Sequence, residues 1–179
     1  MPKGRSGTYF KFRSMVRLSL HDFREVDANG DVGAITANGG LLASDTTPII
    51  RGASGLISQE ISWAASNVDP ILAQVSLPED FDGREDVLVE LWVNSGTTNA
   101  ATFTVASSWN AGSTISDTAT DGAKAATTHK IFAIIDAADI PDVATHLTLM
   151  LTPATHGTDA IQLESVRVGY VPRAVEIPA

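Results

Sequence analysis

Acidic side chains are concentrated in one short segment, Pro78-Glu79-Asp80-Phe81-Asp82-Gly83-Arg84-Glu85-Asp86. Its carboxylates offer the hard oxygen ligands that Ca²⁺ prefers. The same composition is typical of a turn between strands, in which Asp and Gly form side-chain to backbone hydrogen bonds and the charges stay solvated. We expect a solvated turn and keep calcium binding as the alternative. A paired-carboxylate glycosidase is disfavoured, because its two acids must converge over a cleft.

A second acidic segment, Asp27-Ala28-Asn29-Gly30-Asp31, begins like an EF-hand loop. That loop requires glycine where Val32 stands and a bidentate glutamate where Asn38 stands, so the EF-hand interpretation fails. In Arg51-Gly52-Ala53-Ser54-Gly55, the glycine that follows the serine lies one position too close to it for a nucleophile elbow.

The histidines are also scattered along the chain, and none has the i, i+4 spacing that presents two imidazoles to zinc from one helix. We expect surface or turn positions for all of them: His21, His129, His146 and His156. There is no cysteine to act as a nucleophile or thiolate ligand. We therefore expect a protein that is not an enzyme and that needs neither metal nor cofactor.

The composition is that of one soluble domain. The chain has 179 residues, of which 44% are hydrophobic and only 18% are charged. This length supports a hydrophobic core without disulfides. The apolar runs are too short for a transmembrane span, so no membrane association is expected.

Charge is distributed unevenly along the chain. The net charge is −9, yet residues 1–24 carry +5 and the remaining 155 residues carry −14. A basic stretch can bind an acidic protein surface, a membrane or nucleic acid. Nucleic acid is disfavoured as the main partner because the acidic body would repel phosphate.

Hydrophobic periodicity indicates strands throughout. Apolar residues alternate with polar ones over residues 102–109 and 147–152, which is the period of two expected for half-buried strands. The strand over residues 87–93 has large apolar groups on both faces, which predicts a central position. Near Glu164 and Ser165 the alternation slips by one residue, and we interpret this as a β-bulge. The predicted core residues are Trp63, Phe103, Val105, Leu147, Leu149 and Leu151.

Turn sequences of Asn, Asp and Gly separate these strands at short intervals. The only helix signal, Asp136 to Ile140, is stopped by Pro141 after about one turn. The pattern predicts an all-β protein, a jelly-roll-like antiparallel β-sandwich of about eight strands. We expect the sandwich body over residues 56–179, preceded by an extended basic N-terminal arm and irregular segment over residues 1–55.

Two surfaces are candidates for binding a partner. The first is the basic arm, in which cationic and apolar residues alternate: Lys3, Arg5, Phe10, Lys11, Phe12, Arg13 and Arg17. The second is the sheet face that carries Leu88 and Trp92. Trp63 and Trp109 share the parity of core residues, so Trp92 is the tryptophan best placed to contact a protein or to stack on a sugar.

Several segments resemble small β-sandwich structural proteins of tailed bacteriophages, which are encoded among the head genes. The similar segments are residues 37–48, 60–64, 77–82, 87–93, 134–140 and 147–160. This resemblance implies a capsid decoration, or cement, protein on the outer surface of the virion. Its partners would be the major capsid protein and further copies of itself, as a dimer or trimer. A carbohydrate-binding β-sandwich module and a head-fibre or tail component remain alternatives.

Overall fold

The computed structural model describes residues 14–31, 39–42, 47–52, 59–96, 98–110, 112, 115–120 and 127–173. Within these residues, eleven strands, three more than the predicted number of about eight, form two antiparallel sheets, which confirms the predicted all-β sandwich. The strands are β1 (Ser14–Leu18), β2 (Arg24–Glu25), β3 (Ile49–Gly52), β4 (Gln59–Trp63), β5 (Ile71–Ser76), β6 (Val87–Ser95), β7 (Thr102–Trp109), β8 (Ile115–Thr120), β9 (His129–Ile135), β10 (His146–Pro153) and β11 (Ile161–Tyr170).

One sheet has six strands and the other has five. The six-stranded sheet has the order β3-β4-β11-β6-β9, and β1 also pairs with β11. The five-stranded sheet has the order β2-β5-β10-β7-β8. Helical structure in the described residues is limited to two 3₁₀ turns, Leu20–Asp22 and Ala137–Asp139, and none is long enough to cross a membrane. The second turn is capped by the Asp136 side chain, which accepts from the Ala138 amide.

The two sheets bury a single apolar core. All six predicted core residues are fully buried. Trp63 and Phe103 come from opposite sheets and meet edge to face, with ring centroids 5.6 Å apart. Aromatic pairs prefer this geometry because the positive edge of one ring faces the negative face of the other. The alternation of apolar residues therefore identified the inward faces correctly.

Strand β6 has the predicted interior position, with β11 on one side and β9 on the other. The predicted β-bulge also exists: the pairing of β11 with β6 shifts register between Leu163 and Ser165. A bulge places an unpaired residue in the strand and reverses which faces the following side chains occupy. Here it keeps Ile161 and Leu163 in the core together with Val166 and Val168.

The N-terminal region differs from the expected arm. The structure places β1, β2 and β3 within the two sheets, and β1 pairs along the whole of its length with β11. Val16 and Leu18 face the core while Arg17 faces solvent, so the basic residue did not prevent strand formation. The other predicted arm contacts, Lys3 to Arg13, lie outside the described residues.

A network of hydrogen bonds joins the loop after β6 to the loop before β11. The Asp159 carboxylate accepts from the amides of Thr98 (2.6 Å) and Asn99 (3.0 Å). In return, Asn99 Oδ1 accepts from the amides of Thr158 and Asp159, both at 3.2 Å. Gly96 leaves room for this carboxylate, since a Cβ built there would lie 2.2 Å from Asp159 Cγ.

Replacement of Gly96 by Ala should therefore destabilise the protein by about 1–3 kcal/mol, because Asp159 must move and its bonds to the two amides are lost. Urea denaturation measures this. Gly157→Ala, in the facing loop, is the matched control, because a Cβ there meets nothing within 4 Å. Equal stability of the two variants would show that the Asp159 network does not constrain these loops.

Candidate functional site

The outer face of the six-stranded sheet displays three rows of side chains across neighbouring strands. In antiparallel pairs, residues directly opposite each other share a face. We define the apolar row as Met15, Gly169, Leu88 and Ile134; the charged row as Arg17, Arg167, Glu90 and Phe132; and the tryptophan row as Ser165, Trp92 and Lys130.

Glu90 is a buried acid on this outward-facing surface, only 4% exposed. Its carboxylate accepts a hydrogen bond from Trp92 Nε1 (2.7 Å) and pairs with Lys130 Nζ (3.1 Å) and Arg167 Nη1 (3.7 Å). Burial raises the pKa of Glu90, but the hydrogen bonds from Trp92 and Lys130 and the two positive charges outweigh it. The pKa therefore lies below its usual value, and the carboxylate stays ionised.

The Trp92 indole is oriented by the same residues. Its N–H is held by Glu90, and the cationic groups of Arg167 and Lys130 lie 5.6 Å and 6.0 Å from the ring centroid. Cations at about 6 Å or less from an indole are attracted to the negative charge of the ring face. These contacts restrain the half-buried ring at the surface of the sheet.

Trp92 lines an open groove of about 660 Å³. The groove opens where β1 ends and β4 begins, because both strands pair with the same edge of β11 on either side of the bulge. Its volume falls within the range of about 300–1,000 Å³ that is typical of small-molecule sites. The lining residues are Arg17, Leu18, Ser19, Leu20, His21, Gln59, Trp92, Glu164, Ser165 and Arg167.

The polar groups of the groove are held in place by its walls. His21 Nε2 donates to Gln59 Oε1 at 2.6 Å, which connects the 3₁₀ turn after β1 to the start of β4. Glu164, at the bulge, accepts from Thr128 Oγ1 at 2.5 Å. Ser165 is 8% exposed, and its hydroxyl has no hydrogen-bond partner within the described part of the chain. The groove thus combines an aromatic ring with amide, imidazole, carboxylate, guanidinium and hydroxyl groups.

Of the predicted contact residues, the structure brings Arg17 and Trp92 together at the groove. Leu88 shares their sheet face, but only 7% of its surface is exposed, so little of it is available to a partner. Met15 and Leu88 pack on either side of Gly169, where a Cβ would lie 3.3 Å from Met15 Sδ and 3.4 Å from Leu88 Cβ. The sequence pattern placed Leu88 on the correct face of the sheet, but it could not show that Met15 packs close to it across Gly169.

The groove also contains residues that sequence reasoning missed, among them Gln59, Glu164 and Ser165. The predicted bulge was a usable signal for the last two, since bulges redirect side chains and are frequent beside binding sites. His156 also differs from expectation: it lies in the loop between β10 and β11 but is fully buried. Its ring nitrogens lie 2.8 Å from the Ala154 carbonyl oxygen and 3.1 Å from that of Ala64.

In the acidic turn at residues 78–86, several carboxylates accept hydrogen bonds from other groups of the protein. Arg84 donates to both oxygens of Asp82, at 2.9 and 2.8 Å, and these bonds lower the pKa of Asp82 to about 2. Asp80 accepts from the Tyr170 hydroxyl, and Asp86 accepts from the Ala137 amide. No group of three or more potential metal ligands occurs among the described residues. These contacts support the interpretation as a turn.

Comparisons with known proteins agree on the fold. Neither a protein family nor a curated protein matches this chain in sequence. Among solved structures, the xylan-binding module CBM15 is similar with a TM-score of 0.58 and 13% identity, over 90% of this chain and 99% of the module. Xylanase 10C from Cellvibrio japonicus, solved with xylopentaose, matches with a TM-score of 0.52 and 12% identity; 87% of this chain aligns with 28% of that protein. At these identities the similarity establishes the sandwich fold.

Replacement of Glu90 by Gln should cost about 1–2 kcal/mol at neutral pH, because the charge that compensates Lys130 and Arg167 is removed while these half-exposed cations remain partly solvated. Since the folded-state pKa is lowered, this contribution is present above the unfolded pKa of about 4.3 and is lost as the pH falls below it. Urea denaturation at pH 7, 5 and 3 should show the difference between wild type and variant shrinking. Glu79→Gln, at an exposed position, is the control, and a difference independent of pH would contradict the proposed charge contacts.

Proposed function

We propose that this chain is a carbohydrate-binding β-sandwich that holds a glycan in the groove beside Trp92. The observation that carries the proposal is the half-buried indole of Trp92, restrained on the outer face of the sheet and lining a groove of about 660 Å³. An indole offers a flat apolar surface that matches the C–H face of a sugar ring. The ring is already fixed by Glu90, so little side-chain entropy is lost on binding.

The polar lining supports the same proposal. A sugar presents hydroxyl groups around its rim, and each needs a donor or acceptor in the site. The Gln59 amide, the Glu164 carboxylate and the Ser165 hydroxyl supply both kinds of group. Gln59 is oriented by its hydrogen bond with His21. Ligand sites of this type combine an apolar contact with a few placed polar groups that fix orientation.

The fold is compatible with this role. A sandwich of the same architecture binds xylan in the CBM15 module. We propose binding without turnover, because Glu90, one of the two acids beside the groove, is buried and fully engaged by protein donors. Glu90 is buried against Trp92, Lys130 and Arg167, and Glu164 accepts from Thr128. Hydrolysis of a glycosidic bond needs two carboxyl groups free to flank the scissile bond.

A second candidate function is the capsid decoration protein that the sequence resembles. The observation in its favour is the apolar row, in which Met15 is 47% exposed and Ile134 is 39% exposed. Exposed apolar groups in one row of a sheet face suit contact with another protein. In this proposal the row joins sister copies into the dimer or trimer that binds the major capsid protein on the outer surface of the virion.

Replacement of Trp92 by Ala should weaken glycan binding about tenfold or more, because a central tryptophan commonly supplies 2 kcal/mol or more at a binding site. Affinity electrophoresis against a panel of soluble polysaccharides finds the ligand, and isothermal titration measures the loss. Ile134→Ala, on the same face but outside the groove lining, is the matched control and should bind as wild type does.

Since the Trp92 change also removes a cation contact, unfolding curves must first establish that the variant is folded. Gln59→Ala provides a second test, with an expected loss of several-fold, because Gln59 is exposed and contributes a polar contact rather than packing. Wild-type protein that binds no polysaccharide in the panel, or folded variants with unchanged affinity, would refute the glycan site.

The decoration candidate predicts self-association through the apolar row. Wild-type protein should sediment as a dimer or trimer at micromolar concentration, and Ile134→Asp should shift it toward the monomer, because a charge placed in a buried apolar contact is costly. Trp92→Ala serves as the control and should leave the oligomer intact. A wild-type protein that sediments as a monomer would contradict this candidate.

A further inference from the structure

Two arginines face each other across β1 and β11 in the charged row. Arg17 and Arg167 are directly opposite in the strand register, and both side chains line the groove. Like charges directly opposite in an antiparallel pair destabilise a sheet. We propose that the groove recognises an acidic glycan and that this arginine pair binds its carboxylate or sulfate group. The inference rests on the proposed carbohydrate-binding function and specifies its ligand class.

The acids of the sheet face do not neutralise this pair. Glu90 is 3.7 Å from Arg167 but closer to Lys130, at 3.1 Å, so a single buried carboxylate serves two cations. Arg17 is exposed and has no ion-pair partner in the described ranges. Glu164 also lines the groove, where it accepts from Thr128, so the lining carries two arginines and one glutamate. With Glu90 and Lys130 offsetting each other, an excess of one positive charge therefore remains at the groove of a chain with net charge −9.

Guanidinium groups are well suited to this ligand. Arginine presents its N–H donors in a planar fork that matches the two oxygens of a carboxylate or sulfate, and such charge-assisted bonds are about twice as strong as neutral ones. An anion placed between Arg17 and Arg167 would convert a repulsive pair into two attractive contacts. A neutral sugar at the same place would leave the repulsion unchanged.

Ser165 provides an independent observation in the same groove. The residue is more than nine-tenths buried, lies directly opposite Trp92 and has a hydroxyl without a partner in the described residues. A buried polar group without a hydrogen bond costs about 1–3 kcal/mol, so a ligand atom that reached this hydroxyl would relieve that cost. A hydroxyl can donate to an anionic oxygen or accept from a sugar hydroxyl.

The placement of these groups is consistent with one bound sugar residue. The Arg167 guanidinium lies 5.6 Å from the Trp92 ring centroid, in the next row of the same sheet face. A pyranose ring at the indole therefore has its substituents within reach of the arginine pair. The indole would contribute contact area and the arginines would discriminate acidic from neutral sugars.

The experiment compares matched polysaccharides that differ only in charge. Polygalacturonate, alginate and hyaluronate are each titrated beside their carboxyl-reduced forms, and dextran sulfate is titrated beside dextran. Xylan and galactan provide neutral glycans. We expect the chain to bind at least one acidic polymer about tenfold more tightly than its neutral counterpart, with the preference falling as salt is raised. Comparison of the carboxylate polymers with dextran sulfate identifies which anion is bound.

Arg17→Gln should remove most of this tenfold preference, measured as the ratio of the affinities for the acidic polymer and its neutral counterpart. Arg173→Gln removes an equal charge from an exposed position beside Asp82 and is the matched control. Arg17→Lys keeps the positive charge but loses the planar set of N–H donors, so it should retain the preference for the acidic polymer only in part.

The outcomes separate this inference from the proposed function. Trp92-dependent binding to neutral and acidic polymers with equal affinity overturns the arginine proposal and leaves the glycan site intact. Acidic preference that survives in Arg17→Gln, or that is lost equally in Arg173→Gln, also overturns it by showing a general charge effect. Absence of binding to every polymer overturns both proposals.

Discussion

The site on this protein depends on a single buried carboxylate. Glu90 lies on the side of the sheet that faces away from the core, yet it is almost completely covered, and it holds Trp92, Lys130 and Arg167 around it. Burial of an ion costs free energy unless partners compensate for the lost water. Here two cations and one indole N–H provide that compensation. The same contacts that keep Glu90 ionised orient the tryptophan and the second arginine of the groove.

The groove itself results from strand pairing rather than from a specialised loop. Strand β11 is longer than either partner along one edge, so β1 and β4 divide that edge between them and leave a gap. The bulge at Glu164 and Ser165 lies at this gap and turns polar side chains toward it. Because strands on both sides are anchored in the core through Leu18, Ile61 and Val166, the walls of the groove are rigid elements.

The sequence predicted the scaffold more completely than the site. Strict alternation over residues 147–152 identified β10 and its buried leucines, and the slipped alternation identified the bulge, because both depend only on the period of two in a strand. The groove could not be predicted, since it depends on which strands are neighbours: Arg17 lies opposite Arg167, although 149 positions separate them in the sequence. The basic character of β1 suggested an extended arm outside the sandwich body, but its alternate residues Val16 and Leu18 were sufficient to bury one face. Strand pairing also explains why Leu88 is buried: it lies opposite Gly169, which in turn lies opposite Met15.

The most direct test of the glycan site uses the indole N–H signals of the three tryptophans in a ¹⁵N-labelled sample. Trp63 and Trp109 are buried in the core and serve as internal controls, while Trp92 lines the groove. Titration with the best-binding oligosaccharide should shift the Trp92 indole signal in a saturable manner and leave the Trp63 and Trp109 signals in place; a Trp92→Phe sample assigns the peak. Saturable binding that leaves the Trp92 signal unmoved would contradict the account, because the ligand would then occupy another surface.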